Sequence, residues 1–174
     1  ISSTNVTFKN NNVTGTVTVS ANGNVIEGNN ITSTGNYAVD LGSKTGNNVT
    51  DNYLTASVYK GDKAVKFTNA NNVVENNLPK LEGITVAADV VWIGSNGVVT
   101  VNVPNATGNV TIKVNNKEYS VELDENGTAT KEIPAEDLVA GENNVTATYE
   151  NEAYSPVSND TVLTVLDGVV TQDT

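Results

Sequence analysis

The sequence predicts an all-β chain: a right-handed parallel β-helix of about three to four coils over residues 1–80, followed by an antiparallel β-sandwich over 81–167. Three observations predict it. β-Branched residues dominate, with 28 Val and 23 Thr among 174 residues, and these favour strands over helices. The first half repeats a short apolar–Asn pattern at steps of about 18, 23 and 24 residues, the range of solenoid repeats. The second half alternates apolar and polar residues in short runs, with turn signals about every 8–12 residues.

Composition narrows the chemistry. The chain has no Cys, no His and no Arg, and its formal net charge is −11. Disulfide frameworks and Cys or His metal sites are therefore excluded. Ser-His-Asp and Cys-His catalysis lack their base. Nucleic-acid recognition normally uses Arg and clustered Lys, so no nucleic-acid partner is expected. No run of about 18 apolar residues exists, so no membrane span is expected. The chain starts at Ile1 rather than Met and shows no signal-peptide pattern, so it reads as a piece of a longer protein.

The two halves differ in composition, which argues for two domains. Residues 1–79 hold five Lys and five acids; residues 80–174 hold four Lys and fifteen acids. Asn is concentrated in the first half, 17 of 28. Leu78-Pro79-Lys80-Leu81-Glu82-Gly83 marks the joint, because Pro and Gly punctuate it. Residues 168–174 read as a tail leading into a further module.

The repeat of the first half is apolar-x-x-Asn-x-apolar. It occurs as Phe8/Asn11/Val13, Ile26/Asn29/Ile31, Val49/Asn52/Leu54 and Val73/Asn76/Leu78. Between these units lie the pairs Val17/Val19, Val39/Leu41 and Val65/Phe67, with Gly15, Gly23, Gly35, Gly46 and Gly61 at the bends. One such turn of chain cannot close a core alone; stacking successive turns places each apolar residue on its equivalent. An inward Asn at a corner can bond the bend backbone and the next Asn amide, so Asn11, Asn29, Asn52 and Asn76 are expected to form a ladder. The same register makes Asp40 a neighbour of Lys66 and Lys9 a neighbour of Glu27.

In the second half the expected strands are 84–87, 90–93, 98–103, 110–114, 119–123, 128–133, 144–149 and 161–166. Hairpin turns are expected at Asn96-Gly97, Asn115-Asn116 and Asn126-Gly127, residues suited to positive φ. Pro134 to Gly141 reads as a short connection between sheets, with room for one helical turn.

Candidate sites are few. Asp51 and Glu75 each precede a ladder Asn of adjacent coils and would stack about 5 Å apart, the spacing of a retaining glycosidase pair. Two solvated acids or a weak Ca²⁺ site fit the same spacing; Ca²⁺ is thus the one cofactor considered, and no other is expected. Tyr53 should point outward and Tyr59 lies in the longest bend, so both are candidate ligand contacts. Trp92, in an apolar strand, is expected in the core. Lys131 shares parity with Ile133. A buried Lys there could form an intramolecular isopeptide crosslink; a snorkelling Lys on an edge strand is the simpler reading. Asn-x-Thr sequons mark Asn5, Asn48, Asn105, Asn109, Asn126, Asn144 and Asn159 as N-glycosylation candidates. Those at Asn12 and Asn30 adjoin the ladder row and are expected to be crowded.

The segments Leu138 to Tyr149, Asn151 to Ser158 and Val162 to Leu166 together resemble the repeated bacterial-type Ig-like domain. The rows Asn48–Leu54 and Asn72–Leu78 are similar to parallel β-helix repeats. The combination resembles the large adhesin-like surface proteins of methanogenic archaea over nearly the whole chain. That resemblance implies an extracellular place, at the cell surface or in the cell wall, tandem domains, and attachment to surface glycans or proteins of neighbouring cells. It carries no catalytic or ligand motif. The expected protein is thus a monomeric, non-enzymatic adhesin fragment. Two other readings stay open: a structural stalk or envelope module without its own ligand, and a partial carbohydrate-active β-helix.

Overall fold

The structure, a computed structural model, describes residues 1–168; positions 169–174, most of the expected tail, lie outside the described residues. The regular structure of the described chain is nearly all strand, with two single 3₁₀ turns. It divides into two compact units, residues 1–80 with 151–155, and residues 81–150 with 156 onward.

The first unit is built from short strands taken three at a time. β1 (Thr7–Lys9), β2 (Asn12–Thr14) and β3 (Val17–Thr18) make one repeat. β4 (Val25–Glu27), β5 (Asn30–Thr32) and β6 (Val39–Gly42) make the next. β7 (Asn48–Thr50), β8 (Tyr53–Thr55) and β9 (Val65–Phe67) make a third, and β10 (Val73–Glu75) opens a fourth. Each strand pairs in parallel with its equivalent in the next repeat, giving the sheets β1-β4-β7-β10, β2-β5-β8 and β3-β6-β9. Phe8, Ile26, Val49 and Val74 form one column of register partners, and Val13, Ile31 and Leu54 another. Side chains alternate along each strand, so one residue per strand, or two in β6, reaches the interior. Ile26, Ile31, Val39, Leu41, Val49 and Leu54 are fully buried there.

Two corners of each repeat, the one before its first strand and the one between its first and second, share one construction. A residue with left-handed backbone turns the chain, and the next residue points inward. Asn10, Gly28, Asp51 and Asn76 turn one corner, with φ of 56°, 68°, 57° and 59°. Asn5, Gly23 and Gly46 turn another, with φ of 58°, 70° and 68°. Gly, Asn and Asp tolerate this region best, which explains their recurrence at these points.

The fourth repeat corrects the sequence reading by one residue. Val74, not Val73, pairs with Val49, so Asn77 rather than Asn76 stands in the Asn52 position. Two adjacent Val and two adjacent Asn allow both frames in sequence, and Leu78 made the wrong one look apolar at its end. The slip reverses which side chains face out. Val73 and Leu78 are accordingly 46% and 45% exposed, and Leu78 bridges to Tyr53 on the outer row. A second correction concerns Phe67. A bulge in β6 makes Phe67 the partner of Gly42 instead of Leu41, which turns its ring outward to 41% exposure.

The second unit has two sheets. Its strands are β11 (Thr85–Ala88), β12 (Val90–Trp92), β13 (Gly97–Asn102), β14 (Asn109–Val114), β15 (Lys117–Glu122), β16 (Thr128–Ile133), β17 (Gly141–Tyr149) and β18 (Val157–Leu166). One sheet has the order β11-β13-β16; the other, β12-β18-β17-β14-β15. All pairings are antiparallel except β12 with β18. Alternation buries Val99, Val101, Val110, Ile112, Val145, Ala147 and Leu163 completely. The connection after Pro134 makes one 3₁₀ turn at Ala135–Asp137 between strands of different sheets.

Three expectations fail here. Asn96-Gly97 is no hairpin turn, because β12 and β13 belong to different sheets; the left-handed residue of that bend is Gly94, at φ 86°. Asn126-Gly127 is no hairpin turn either, because β15 and β16 belong to different sheets, although Gly127 does take the left-handed backbone expected there, at φ 73°. Trp92 is 60% exposed, not core. β12 is an edge strand, and its alternation buries Val91 more than Trp92 while both Val90 and Trp92 face out.

Candidate functional site

Polar chemistry inside the first unit is spent on holding the repeats together. At one corner Asn11, Asn29, Asn52 and Asn77 form a continuous column. Each side-chain Oδ1 below accepts the backbone N–H and the side-chain amide of the Asn above. For Asn29 over Asn52 the distances are 2.9 and 3.0 Å; for Asn52 over Asn77 they are 3.0 and 2.9 Å. The amide of Asn52 also donates to the carbonyls of Ile26 and Thr50 at 3.0 Å each. Asn29 and Asn52 are 1% exposed, so these bonds offset a desolvation that would otherwise be costly.

The column ends on a carboxylate. Asp62 Oδ1 accepts the Asn77 backbone N–H at 2.9 Å and its amide at 2.7 Å. A carboxylate only accepts, and the last acceptor in the row needs no more. Asp62 lies in the 3₁₀ turn Gly61–Ala64. Gly61 enters it at φ 59°, where a Cβ would meet the Asn77 carbonyl oxygen at 2.8 Å and collide with that of Pro79.

Sequence reasoning missed a second column at the other corner. Asn24, Asn47 and Asn72 repeat the arrangement, with backbone N–H to Oδ1 distances of 2.9 and 3.0 Å. Val6 heads it, donating its N–H to Asn24 Oδ1 at 2.8 Å. A signal was available: each of these Asn stands two residues before the core residues Ile26, Val49 and Val74.

The acidic pair does not align. Glu75 is the register partner of Thr50, whereas Asp51 is the corner residue equivalent to Asn76. The expected stacking rested on the slipped frame; in the observed register Asp51 and Glu75 are offset by one position. Among the described residues no three His, Cys, Asp or Glu side chains converge on a metal-sized point. The outward ion pairs do match the register, Lys9–Glu27 at 3.0 Å and Lys66–Asp40 at 3.6 Å.

Of the aromatic candidates, Tyr53 stands alone on β8 at 49% exposure. Tyr59 is different. Its ring stacks on Tyr37 with centroids 4.8 Å apart and planes tilted by 33°. The Lys63 ammonium lies 5.7 Å over the same ring and donates to the Asn151 carbonyl at 3.0 Å. The Tyr59 hydroxyl is held above its ordinary pKa by the Tyr37 charge, by a hydrogen bond with Tyr37, by burial and by Glu152. Tyr37, Tyr59, Asp62, Lys63, Val65, Lys66 and Phe67 line an open groove of about 330 Å³. Tyr37 was not singled out from sequence, and Phe67 was named there only as an apolar repeat residue. Tyr37 lacks a repeat signal, and Phe67 was assigned inward because the bulge is invisible in the pattern.

In the second unit, Lys131 is half-exposed, with its ammonium 5.1 Å from the Tyr119 ring centroid, so it lacks the burial that a crosslink requires. Tyr119 donates its hydroxyl to Asp137 Oδ2 at 2.6 Å, and Lys117 reaches the same oxygen at 2.7 Å. Burial and that bond push the Tyr119 pKa up to about 12. The bonds from Lys117 and Tyr119 hold Asp137 below the usual carboxylate range.

The sequons separate by environment. Asn5, Asn105, Asn126 and Asn144 are exposed, as are Asn12 and Asn30, which the ladder does not crowd. Asn48 is half-buried, with an Oδ1 that finds no partner. The amides of Asn109 and Asn159 are occupied, donating to Ser120 and to the Ile84 carbonyl. Among the described residues no helix is long and apolar enough to cross a membrane. Comparison with family models, with curated proteins and with solved structures finds no match.

Proposed function

We propose that this chain is a non-enzymatic attachment module of a cell-surface protein. Residues 1–80 serve as a right-handed parallel β-helix that presents a binding face. The second unit serves as an Ig-like spacer. The all-β architecture, three parallel sheets with a repeating register, and a pair of β-sheets with antiparallel alternation support the fold half of this reading. The observation that carries the functional half is the division of labour in the first unit. Its buried Asn side chains are consumed by the two columns, while a stacked aromatic pair and a turned-out Phe67 are left on the surface. Buried, satisfied polar rows serve rigidity; exposed aromatic rings beside charged groups serve recognition.

The proposed partners are glycans or proteins on neighbouring cells, and the proposed place is the outer surface or wall. The test is saturable binding of the fluorescently labelled chain to intact partner cells and to immobilised glycans. Saturable binding that unlabelled chain competes away is the expected result. Absence of saturable binding to both would overturn attachment and leave a structural stalk.

A further inference from the structure

We propose that the outer face of the sheet β2-β5-β8 binds an uncharged polysaccharide in extended form, its rings laid across successive strands and over Tyr53. This goes beyond the attachment reading, since it adds a second face and names a ligand class without using Tyr37, Tyr59 or Phe67. The repeat register composes the face. Asn12, Asn30 and Tyr53 are partners in one outward column, and Thr14, Thr32 and Thr55 in the next. Leu78 extends the first column through its bridge to Tyr53, and Lys60 the second through its bridge to Thr55. The Asn side of the face is open to solvent, with Tyr53 at 49% and Leu78 at 45% exposure.

Two contrasts select the ligand. The first is charge. The outer face of β1-β4-β7-β10 carries the Lys9–Glu27 pair, and that of β3-β6-β9 carries the Lys66–Asp40 pair. The strands β2, β5 and β8 hold no charged residue; Lys60 stands at the end of their face and Asp51 at the corner before Tyr53. The second contrast is engagement. The buried Asn of the two columns spend their amides on one another, whereas the side chains of Asn12, Asn30, Tyr53 and the three Thr make no hydrogen bond or ring contact with any described residue. Amides and hydroxyls both donate and accept. Sugar hydroxyls do the same, while a carboxylate only accepts and would leave the acceptors of this face unmet. Spacing then selects an extended chain. Neighbouring strands lie about 4.8 Å apart, roughly the rise per ring of an extended β-1,4-linked hexose chain. Each ring thus meets one row, and Tyr53 with Leu78 supplies the apolar surface on which sugar C–H groups stack.

The experiment uses the whole chain, prepared without N-linked glycans because Asn12 and Asn30 are themselves sequons. The probes are polyvalent conjugates of cellohexaose and β-1,4-mannohexaose, both neutral and extended, of acidic β-1,4-hexamannuronate, and of neutral but coiled maltohexaose. The expected result is saturable binding of at least one neutral extended hexamer, changed by less than about twofold between about 0.05 and about 0.5 M salt. Tyr53→Ala should reduce it roughly tenfold and Asn30→Ala several-fold, while thermal unfolding shows the fold intact. Lys9→Gln, on another sheet, should leave it unchanged. Equal binding of hexamannuronate or of maltohexaose overturns the proposal, as does binding that survives Tyr53→Ala. Adhesion to partner cells without binding of either neutral extended hexamer overturns this face alone and leaves the attachment reading standing. Absence of both would bring down both.

Discussion

The two units solve the same problem by different means. Both must bury short strands with almost no aromatic core. The antiparallel unit does it with side-chain alternation: Val99, Val101, Val110, Ile112 and Leu163 fill the interior, and its one fully hydrogen-bonded buried Asn, Asn143, ties a local bend. The repeat unit has strands of two to four residues, too short to supply enough apolar surface at their corners. It fills those corners with Asn and satisfies each Asn on the next. The lesson is that buried amides can serve as a scaffold when every donor and acceptor finds a partner in a periodic neighbour. The same rule makes the repeat unit brittle to single polar changes and the antiparallel unit sensitive to shape.

The sharpest way to break this contrast is Asn52→Leu. It leaves the Asn29 backbone N–H without its acceptor, takes one of two acceptors from the Asn29 amide and one of two donors from Asn77 Oδ1, and removes the amide that bonds the Ile26 and Thr50 carbonyls. A loss of about 3–5 kcal/mol is expected, read by urea unfolding with amide exchange at Ile26 and Val49. A loss under about 1 kcal/mol would show that the column is decorative.

Next in size is a paired test of register. Asn77→Ala removes a column member and should cost about 2–4 kcal/mol. Asn76→Gly should change stability by less than about 0.5 kcal/mol, because glycine suits the left-handed corner. The reverse ranking in thermal melts would restore the Asn76 frame.

The antiparallel unit should answer to shape instead. Gly127, at φ 73°, has no room for a Cβ against the Val103 carbonyl. Gly127→Ala is expected to cost about 2–3 kcal/mol, read from Trp92 fluorescence, which reports this unit alone because Trp92 is the sole Trp.

A pH dependence follows for the same unit. Asp137 is held below its ordinary 3.8, so its contribution is present above that value and is lost as pH falls through the lowered folded pKa. Tyr119 is raised from 10.0 to about 12, so its contribution is present below pH 10.0 and is lost as pH rises toward 12. Tyr119→Phe should flatten the alkaline arm of the Trp92 unfolding midpoint; an unchanged arm would remove Tyr119 as its cause. The smallest effect belongs to Lys66→Ala. Its pair with Asp40 is half-exposed, and a change within about 0.5 kcal/mol in the melting experiment is expected. A larger loss would give the groove cation a structural duty.

Much of the architecture was legible because it rests on period and turn chemistry. The eight strands of the second half were read within a few residues of their observed bounds, since Val110/Ile112/Val114 and its neighbours alternate cleanly. Asn11, Asn29 and Asn52 stood out for the same reason. Asn76 was misread because Val73-Val74 and Asn76-Asn77 each double the signal, so two frames satisfied one pattern. The second column was overlooked because its Asn precede the strands and looked like ordinary bend residues. The candidate site was the least legible part. Tyr59 was marked, but its partner Tyr37 lies 22 positions earlier with no shared motif, and Phe67 was placed inside.

What the sequence determined by itself is the class of structure: β-branched residues, Gly and Asn at corners, and two periods dictate strands, bends and stacking. Only the tertiary structure decided which Asn turns a corner and which enters it, and which aromatic ring meets another. Those outcomes depend on pairing between repeats, where a single bulge at Gly42 or a one-residue slip at Val73 reverses which side chains of the affected strand pair face out. Local propensity is blind to such a reversal, because the same residues favour a strand on either face.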